Sequence, residues 1–176
     1  MRRAAALAIA LFVLAWCPYA FALNPALDVS QYIHTSWKIR EGFTKGTIRT
    51  IAQTPDGYLW LGTDLGLLRF DGVRTTPWQP PPNHALPSNT IVSLLVARDG
   101  TLWIGTDKGL ASWKDGQLVQ YESLAGSVVL KLVEDRDGSI WTTRFVDRWT
   151  LCGIQRSGVT CYGEDGGPGA LSLIHI

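Results

Sequence analysis

The sequence repeats a short pattern about every 40 residues, and this repetition constrains the fold more than any other feature of the chain. The pattern is an Asp-Gly pair followed, three residues after the glycine, by a tryptophan. Its three copies place this residue at Trp60, Trp103 and Trp141. A chain built in this way folds as consecutive similar units, each of which packs against the next.

The copies divide into short strands rather than helices. Asp56 lies 43 residues before Asp99, and Asp99 lies 38 residues before Asp137. In each copy Asp-Gly favours a tight hairpin turn, and the alternating apolar residues after it are typical of a half-buried strand. The pattern predicts strands in the first copy near 48–53, 58–63, 67–70 and 73–78.

The predicted fold is therefore all-β: a partial, incomplete β-propeller of about three four-stranded blades after an N-terminal signal helix. Residues 23–47 lead into the first blade, and residues 163–176 are interpreted as a linker with an artefactual tail. Within a propeller region over 48–162, the blades are predicted at about 48–78, 91–121 and 129–162.

The repeated positions are interpreted as structural. Asp-Gly forms the turn, tryptophan packs between blades, and Gly-Thr supplies a closely packed strand end. An aromatic cage for a ligand is the alternative for the tryptophans. The third copy departs from the pattern, because it has Thr143-Arg144 where the others have Gly-Thr. The structural positions are Asp56, Gly57, Trp60, Gly62, Thr63, Asp99, Gly100, Trp103, Gly105, Thr106, Asp137, Gly138 and Trp141.

The first 22 residues have the three regions of a secretory signal. Met1 is followed by Arg2 and Arg3, then by an apolar run over 4–16 and by Ala20-Phe21-Ala22. We predict a signal peptide over 1–22 with cleavage after Ala22. A membrane anchor is the alternative, but the apolar run falls short of the ~20 residues that a spanning helix needs.

Removal of the signal leaves two cysteines, Cys152 and Cys161, which flank Arg156-Ser157-Gly158. In an oxidising compartment this spacing fits opposite strands of a tight hairpin joined by a disulfide. A zinc site would need further Cys or His residues nearby. We predict the disulfide, with free thiols as the alternative.

Charge and side-chain chemistry exclude several classes of function. The chain has 16 basic and 15 acidic residues without the clustered positive charge that nucleic acid requires. Its three histidines are scattered, and no nucleophile, carboxylate pair or phosphate loop stands out. We predict no catalytic, cofactor-binding or metal residue and no cofactor. Ligand-binding residues stay unknown, and the places to inspect are Asp64, Leu65, Asp107 and Lys108.

The unit Asp-Gly-x-Leu/Ile-Trp-x-Gly-Thr-x-x-Gly-Leu, followed by Phe-Asp-Gly or Lys-Asp-Gly, resembles the repeat of two-component regulator propellers. These repeats form the periplasmic sensor region of bacterial sensor histidine kinases. The resemblance covers roughly residues 30–162, and 54–63 and 86–91 match it most closely.

The resemblance implies that the chain is an N-terminal fragment of a two-component sensor histidine kinase, exported as the periplasmic part of an inner-membrane protein. Its complete propeller would bind an extracytoplasmic ligand, with carbohydrate as one candidate, or pair with a second copy. The fragment itself is expected not to be an enzyme, while the full-length parent would be a histidine kinase. The alternatives are a secreted propeller enzyme of the polysaccharide lyase or glycosidase type and a non-catalytic binding scaffold.

Overall fold

The computed structural model describes Ser36, residues 46–155 and residues 157–163. The chain divides into two compact units, Met1–Ser36 and Trp37–Ile176, and everything described apart from Ser36 belongs to the second. The predicted signal peptide with its cleavage after Ala22 lies outside the described residues, and so does the predicted linker and tail at 163–176 apart from Gly163. So does most of the segment that leads into the first blade.

In the described part of the chain, twelve strands form three separate four-stranded antiparallel sheets, each with its strands in chain order. The first blade contains β1 (Ile48–Gln53), β2 (Leu59–Thr63), β3 (Gly66–Phe70) and β4 (Thr75–Pro77). The second contains β5 (Ile91–Val96), β6 (Leu102–Thr106), β7 (Gly109–Lys114) and β8 (Gln117–Gln120). The third contains β9 (Val128–Glu134), β10 (Ile140–Phe145), β11 (Trp149–Gln155) and β12 (Gly158–Tyr162).

The sheets follow one another as blades, which confirms the all-β partial propeller. Their first strands, β1, β5 and β9, are neighbours in space and form the inner edge of the arc. The Thr50 hydroxyl accepts a hydrogen bond from the Leu94 N–H at 3.2 Å, so it joins β1 to β5. The Ser93 hydroxyl donates to the Val129 carbonyl at 3.0 Å and joins β5 to β9.

Glycine allows each of these blades to approach the next. A Cβ atom on Gly62 would lie 2.6 Å from Cγ2 of Ile91 on the second blade. On Gly105 it would lie 2.9 Å from the carbonyl oxygen of Val129 on the third. Real Cβ atoms do not come this close to such neighbours, because protein interiors are packed at van der Waals distance. The third blade has Thr143 at the equivalent place in its second strand.

The outer hairpins differ between blades. In the second blade Asp115 and Gly116 have φ of 49° and 80° and connect Lys114 directly to Gln117. These positive φ values at both central positions belong to a two-residue type I′ turn. In the first blade the Asp71 carboxylate accepts hydrogen bonds from the N–H groups of Val73 and Arg74.

Val73 and Arg74 belong to this wider turn in the first blade, although the sequence pattern predicts them at the start of the fourth strand. The predicted strand at 73–78 is therefore shorter, and β4 covers only Thr75–Pro77. Its end is set by Pro77, which has no N–H to offer to a ladder. Beyond it, the Trp78 N–H still donates to the Leu67 carbonyl at 2.8 Å.

Candidate functional site

Each blade carries a pair of aromatic side chains at equivalent places, one on its second strand and one at the end of its fourth. The ring centroids are 6.2 Å apart in Trp60–Trp78, 5.2 Å in Trp103–Tyr121 and 6.0 Å in Trp141–Tyr162. The next blade covers the first two pairs, so Trp60 and Trp103 are buried. In the third blade Trp141 is half-buried and Tyr162 is exposed.

The indole N–H groups of the three repeated tryptophans differ in their partners. That of Trp60 donates to the Thr54 hydroxyl at 3.0 Å, and that of Trp141 donates to the Asp135 carboxylate at 2.7 Å. The equivalent position before Trp103 is Ala97, and the buried Nε1 of Trp103 has no hydrogen-bond partner in the described part of the chain. A buried donor without an acceptor destabilises the fold.

Replacing Ala97 by threonine is therefore expected to raise the free energy of unfolding by about 1 kcal/mol, because it returns an acceptor to the Trp103 indole. Urea unfolding of the 176-residue chain measures the change. Ala97→Val is the matched control, because it has the same shape without the hydroxyl. Equal stabilities of the two variants would show that the indole gains nothing from the acceptor.

The Asp-Gly turns lie at one end of the blades and carry local carboxylate contacts. Gly57, Gly100 and Gly138 have φ of 89°, 82° and 82°, values that favour glycine. The Asp135 carboxylate accepts hydrogen bonds from the N–H groups of Asp137 and Ser139, and the Trp141 indole lowers its pKa most strongly. These contacts define the turns and leave the carboxylates at the surface.

A second turn carboxylate, Asp99, forms an ion pair across its own blade. Lys114 Nζ lies 2.8 Å from Asp99 Oδ2, and the Thr101 N–H donates to Oδ1 at 3.0 Å. The hydrogen bond from Lys114 and then that from Thr101 lower the pKa of Asp99 from 3.8 to about 2. Both side chains of the ion pair are largely in solvent, so the pair stabilises the fold by less than about 1 kcal/mol.

This shift predicts a small acid-dependent loss of stability. Folding lowers the pKa of Asp99, so Asp99 contributes fully to the free energy of unfolding above about pH 4. This contribution is lost as the pH falls towards about 2. Lys114→Met should raise the pKa of Asp99 towards 3.8, as measured by carboxyl-carbon NMR titration. Lys131→Met serves as the control, and an unchanged pKa in Lys114→Met would contradict the assignment.

The two cysteines lie directly opposite each other in the last hairpin of the third blade. Cys152 on β11 pairs with Cys161 on β12, and a disulfide joins them with an S–S distance of 2.08 Å. Cys152 is fully buried in the cluster between the second and third blades, and Cys161 packs against the same cluster. The bridge therefore holds the outermost strand of the third blade to the core.

A cleft of about 430 Å³ opens at the end of the first blade opposite the Asp-Gly turns. Three parts of the chain enclose it: the turn between β2 and β3, the end of β4, and the loop that leads to the second blade. The Thr63 hydroxyl shapes that turn, because it accepts from the Leu65 N–H and donates to the Gly66 carbonyl. The lining residues are Gly46, Thr63, Leu65, Gly66, Leu67, Leu68, Thr75, Pro77, Trp78, Gln79, Pro80, Leu86 and Asn89.

The second blade has a smaller cleft of about 220 Å³ in the equivalent place. Lys108 and Tyr121 line it where Leu65 and Trp78 line the first. The connection to the third blade makes a short 3-10 turn over Glu122–Leu124, and Leu124 is fully buried. Its equivalent in the first blade, Leu86, is only half-buried and lines the open cleft.

The four places that the sequence indicated for inspection lie around these clefts. Leu65 lines the first and Lys108 the second. The Asp64 carboxylate accepts from the Thr47 N–H at 2.8 Å. Asp107 has one carboxylate oxygen that is buried without a hydrogen-bond partner in the described residues. The repeated sequence pattern did not indicate Trp78, which is the largest residue that lines the first cleft.

A wider depression of about 700 Å³ lies between the second and third blades, at the end with the Asp-Gly turns. It is acidic, and two of its carboxylates are already paired: Asp99 with Lys114, and Glu134 with Arg98 at 3.1 Å. Within the described ranges, no group of three His, Cys, Asp or Glu side chains could hold a metal ion. The cleft of the first blade is therefore the better candidate site.

The family described as "Two component regulator propeller" matches residues 42–64 and 85–108, which include the Asp-Gly turns and tryptophans of the first two blades. These two segments of the chain are thus similar to two-component regulator propeller repeats. No curated protein sequence matches the chain significantly.

Solved structures with the same fold include two extracellular domains of hybrid two-component systems from B. thetaiotaomicron. One is 18% identical, with a TM-score of 0.61 over 72% of this chain and 19% of its own. The other is 25% identical, with a TM-score of 0.53 over 65% of this chain and 16% of its own. Virginiamycin B lyase from Staphylococcus aureus is 18% identical, with a TM-score of 0.51 over 66% of this chain and 41% of the lyase.

The chain thus spans about a fifth or less of the two extracellular domains and under half of the lyase. At these identities the likeness to the first domain and to the lyase shows a shared fold. Among the described residues, no helix has the length and apolar character needed to cross a membrane.

Proposed function

We propose that this chain is the extracytoplasmic, N-terminal sensing part of a two-component sensor histidine kinase. The signal over 1–22 would export it, and the propeller would lie in the periplasm as part of an inner-membrane protein. Its partners would be an extracytoplasmic ligand, with carbohydrate as one candidate class, and a second copy of the longer protein. The kinase reaction would belong to the longer protein and not to these blades.

The observation that carries this proposal is the match of two blades to the regulator propeller family. The extracellular domains of hybrid two-component systems, which share the fold, support the same role. Fold alone does not determine function, so the family match carries more weight than the architecture.

The blades offer a physical route from ligand to output. The cleft of the first blade borders the loop over 79–87, which connects directly to the inner strand of the second blade. A ligand that fits one arrangement of this loop better than another would shift the population of blade arrangements. The shift can only be as large as the difference between its two binding free energies.

A secreted enzyme is the second candidate, because virginiamycin B lyase has a similar fold. Such an enzyme needs an acid, a base or a nucleophile aimed into a cleft. The described lining of the first cleft supplies none. The enzyme alternative would therefore rest on residues outside this cleft.

Sequencing the genomic locus through codon 169 and beyond tests the proposal. The expected result is a reading frame that continues through further Trp-x-Gly-Thr repeats to a membrane-spanning segment and an ATP-binding kinase core. A frame that instead ends in a hydrolase or lyase domain, or stops without a membrane segment, would contradict the sensor kinase.

A further inference from the structure

The described residues that line the cleft of the first blade carry no formal charge. None of them is Asp, Glu, Lys, Arg or His. The nearest carboxylate along the chain, that of Asp64, accepts a hydrogen bond from the Thr47 N–H. A charged group that enters such a cleft loses water without gaining a counter-ion from these residues, and this weakens its binding.

The wall of the cleft suits a flat apolar ring. Trp78 lies between Pro77 and the proline loop, and its own ring is held by edge contacts with Trp60 at 6.2 Å and Trp113 at 5.2 Å. A surface already fixed by packing loses little entropy when a ligand binds. Gln79 and Asn89 add neutral amide groups that can pair with hydroxyls.

The second blade shows that this neutrality is not a general property of the repeat. Its equivalent cleft has Lys108 in place of Leu65 and also includes Glu122. It is about half the volume, and its connecting loop has the fully buried Leu124 where the first has the half-buried Leu86. The two clefts therefore differ in both charge and size, although their strands are equivalent.

We infer that the cleft of the first blade takes an uncharged ligand with an apolar ring face and a hydroxyl group, and that it rejects organic anions and cations. This rests on the proposed sensing function, since it names the class of cue that the propeller would receive. Both an aromatic alcohol and a neutral sugar have this chemistry. Acidic polysaccharides and ammonium compounds do not.

Three probes of one shape test the inference: benzyl alcohol, benzoate and benzylamine, each titrated into the 176-residue chain labelled with 15N at tryptophan. The expected result is saturable movement of the Trp78 indole resonance with benzyl alcohol, and at least tenfold weaker effects of the two ions. Methyl β-glucoside, titrated in the same way, distinguishes a sugar from an aromatic source. Equal or tighter binding of either ion, or no movement of Trp78 with any neutral probe, would overturn the inference.

Leu65→Lys provides a second test at a position that tolerates lysine. Leu65 is 66% exposed, and Lys108 occupies the same turn position in the second blade. The variant should bind benzoate at least tenfold more tightly than the unmodified chain does, because the ammonium group supplies a counter-ion. Lys108→Leu is the control and should leave the Trp78 response unchanged. If Leu65→Lys bound benzoate no more tightly than the unmodified chain does, this cleft would not be the binding site.

These outcomes are separate from the fate of the proposed function. A kinase core found at the locus with no neutral binding in the cleft would retain the sensor and remove this ligand class. Binding of a neutral probe in the cleft, together with a locus that encodes no membrane segment or kinase core, would retain the ligand class and contradict the proposed sensor kinase.

Discussion

Gly105→Thr is expected to lower the free energy of unfolding by about 3 kcal/mol, through overpacking between the second and third blades. The new Cβ would lie 2.2 Å from the Ser93 hydroxyl and 2.9 Å from the Val129 carbonyl oxygen. The carbonyl belongs to the backbone of β9, so a change of rotamer cannot relieve the contact. The blades must move apart, and the Ser93–Val129 hydrogen bond of 3.0 Å is broken with them.

The third blade supplies the matched control for this prediction. Thr143 occupies the equivalent strand position, and Thr143→Gly should cost about 1 kcal/mol or less, which is the loss of strand propensity alone. Urea unfolding followed by circular dichroism compares the two variants. If Gly105→Thr proved as stable as Thr143→Gly, the second and third blades would not be in the close contact described.

Trp103→Ala is expected to lower the free energy of unfolding by about 3–5 kcal/mol, the largest effect of any side-chain truncation. Trp103 is 8% exposed and belongs to the cluster that joins the second and third blades. Its removal leaves a cavity beside Leu132 and Ile140, which sit on strands too well paired to collapse into the space. The loss is due to packing, because the indole N–H makes no hydrogen bond to the described residues.

Trp141→Ala is the control, because the equivalent tryptophan of the third blade is half-buried and its main aromatic neighbour is Tyr162. This variant is expected to lower the free energy of unfolding by about 2 kcal/mol, because Trp141 buries less area than Trp103 but donates a hydrogen bond to Asp135. Equal losses in both alanine variants would contradict the different burial of the two tryptophans.

The fold class could be predicted from the sequence because its determinants are local. An Asp-Gly pair specifies a turn wherever it stands between alternating apolar residues, and a tryptophan at a fixed distance after it marks a repeated packing position. The predicted fourth strand at 73–78 was too long, because the Asp71 carboxylate accepts hydrogen bonds from the N–H groups of Val73 and Arg74 and lengthens the turn. That contact depends on side-chain geometry, which the pattern of apolar residues does not contain.

The candidate cleft could be predicted only in part. Leu65 was indicated by its place in a turn, but the cleft also needs Trp78, Pro80 and Leu86. These residues come from the connection between blades, where the copies no longer match one another. Leu86 and Leu124 both pack between blades, but how deeply each is buried depends on the path of its connecting loop, which the repeat period does not contain.

The redox and processing state of the chain in cells tests the central claim, an extracytoplasmic propeller, most directly. Cells that produce the chain are treated with a thiol-alkylating reagent, and the intact chain is weighed by mass spectrometry before and after reduction. Our account predicts a chain that begins at Leu23 and takes up no alkyl group until Cys152 and Cys161 are reduced. An unprocessed chain that begins at Met1, with Cys152 and Cys161 alkylated without reduction, would place the blades in a reducing compartment and contradict the account.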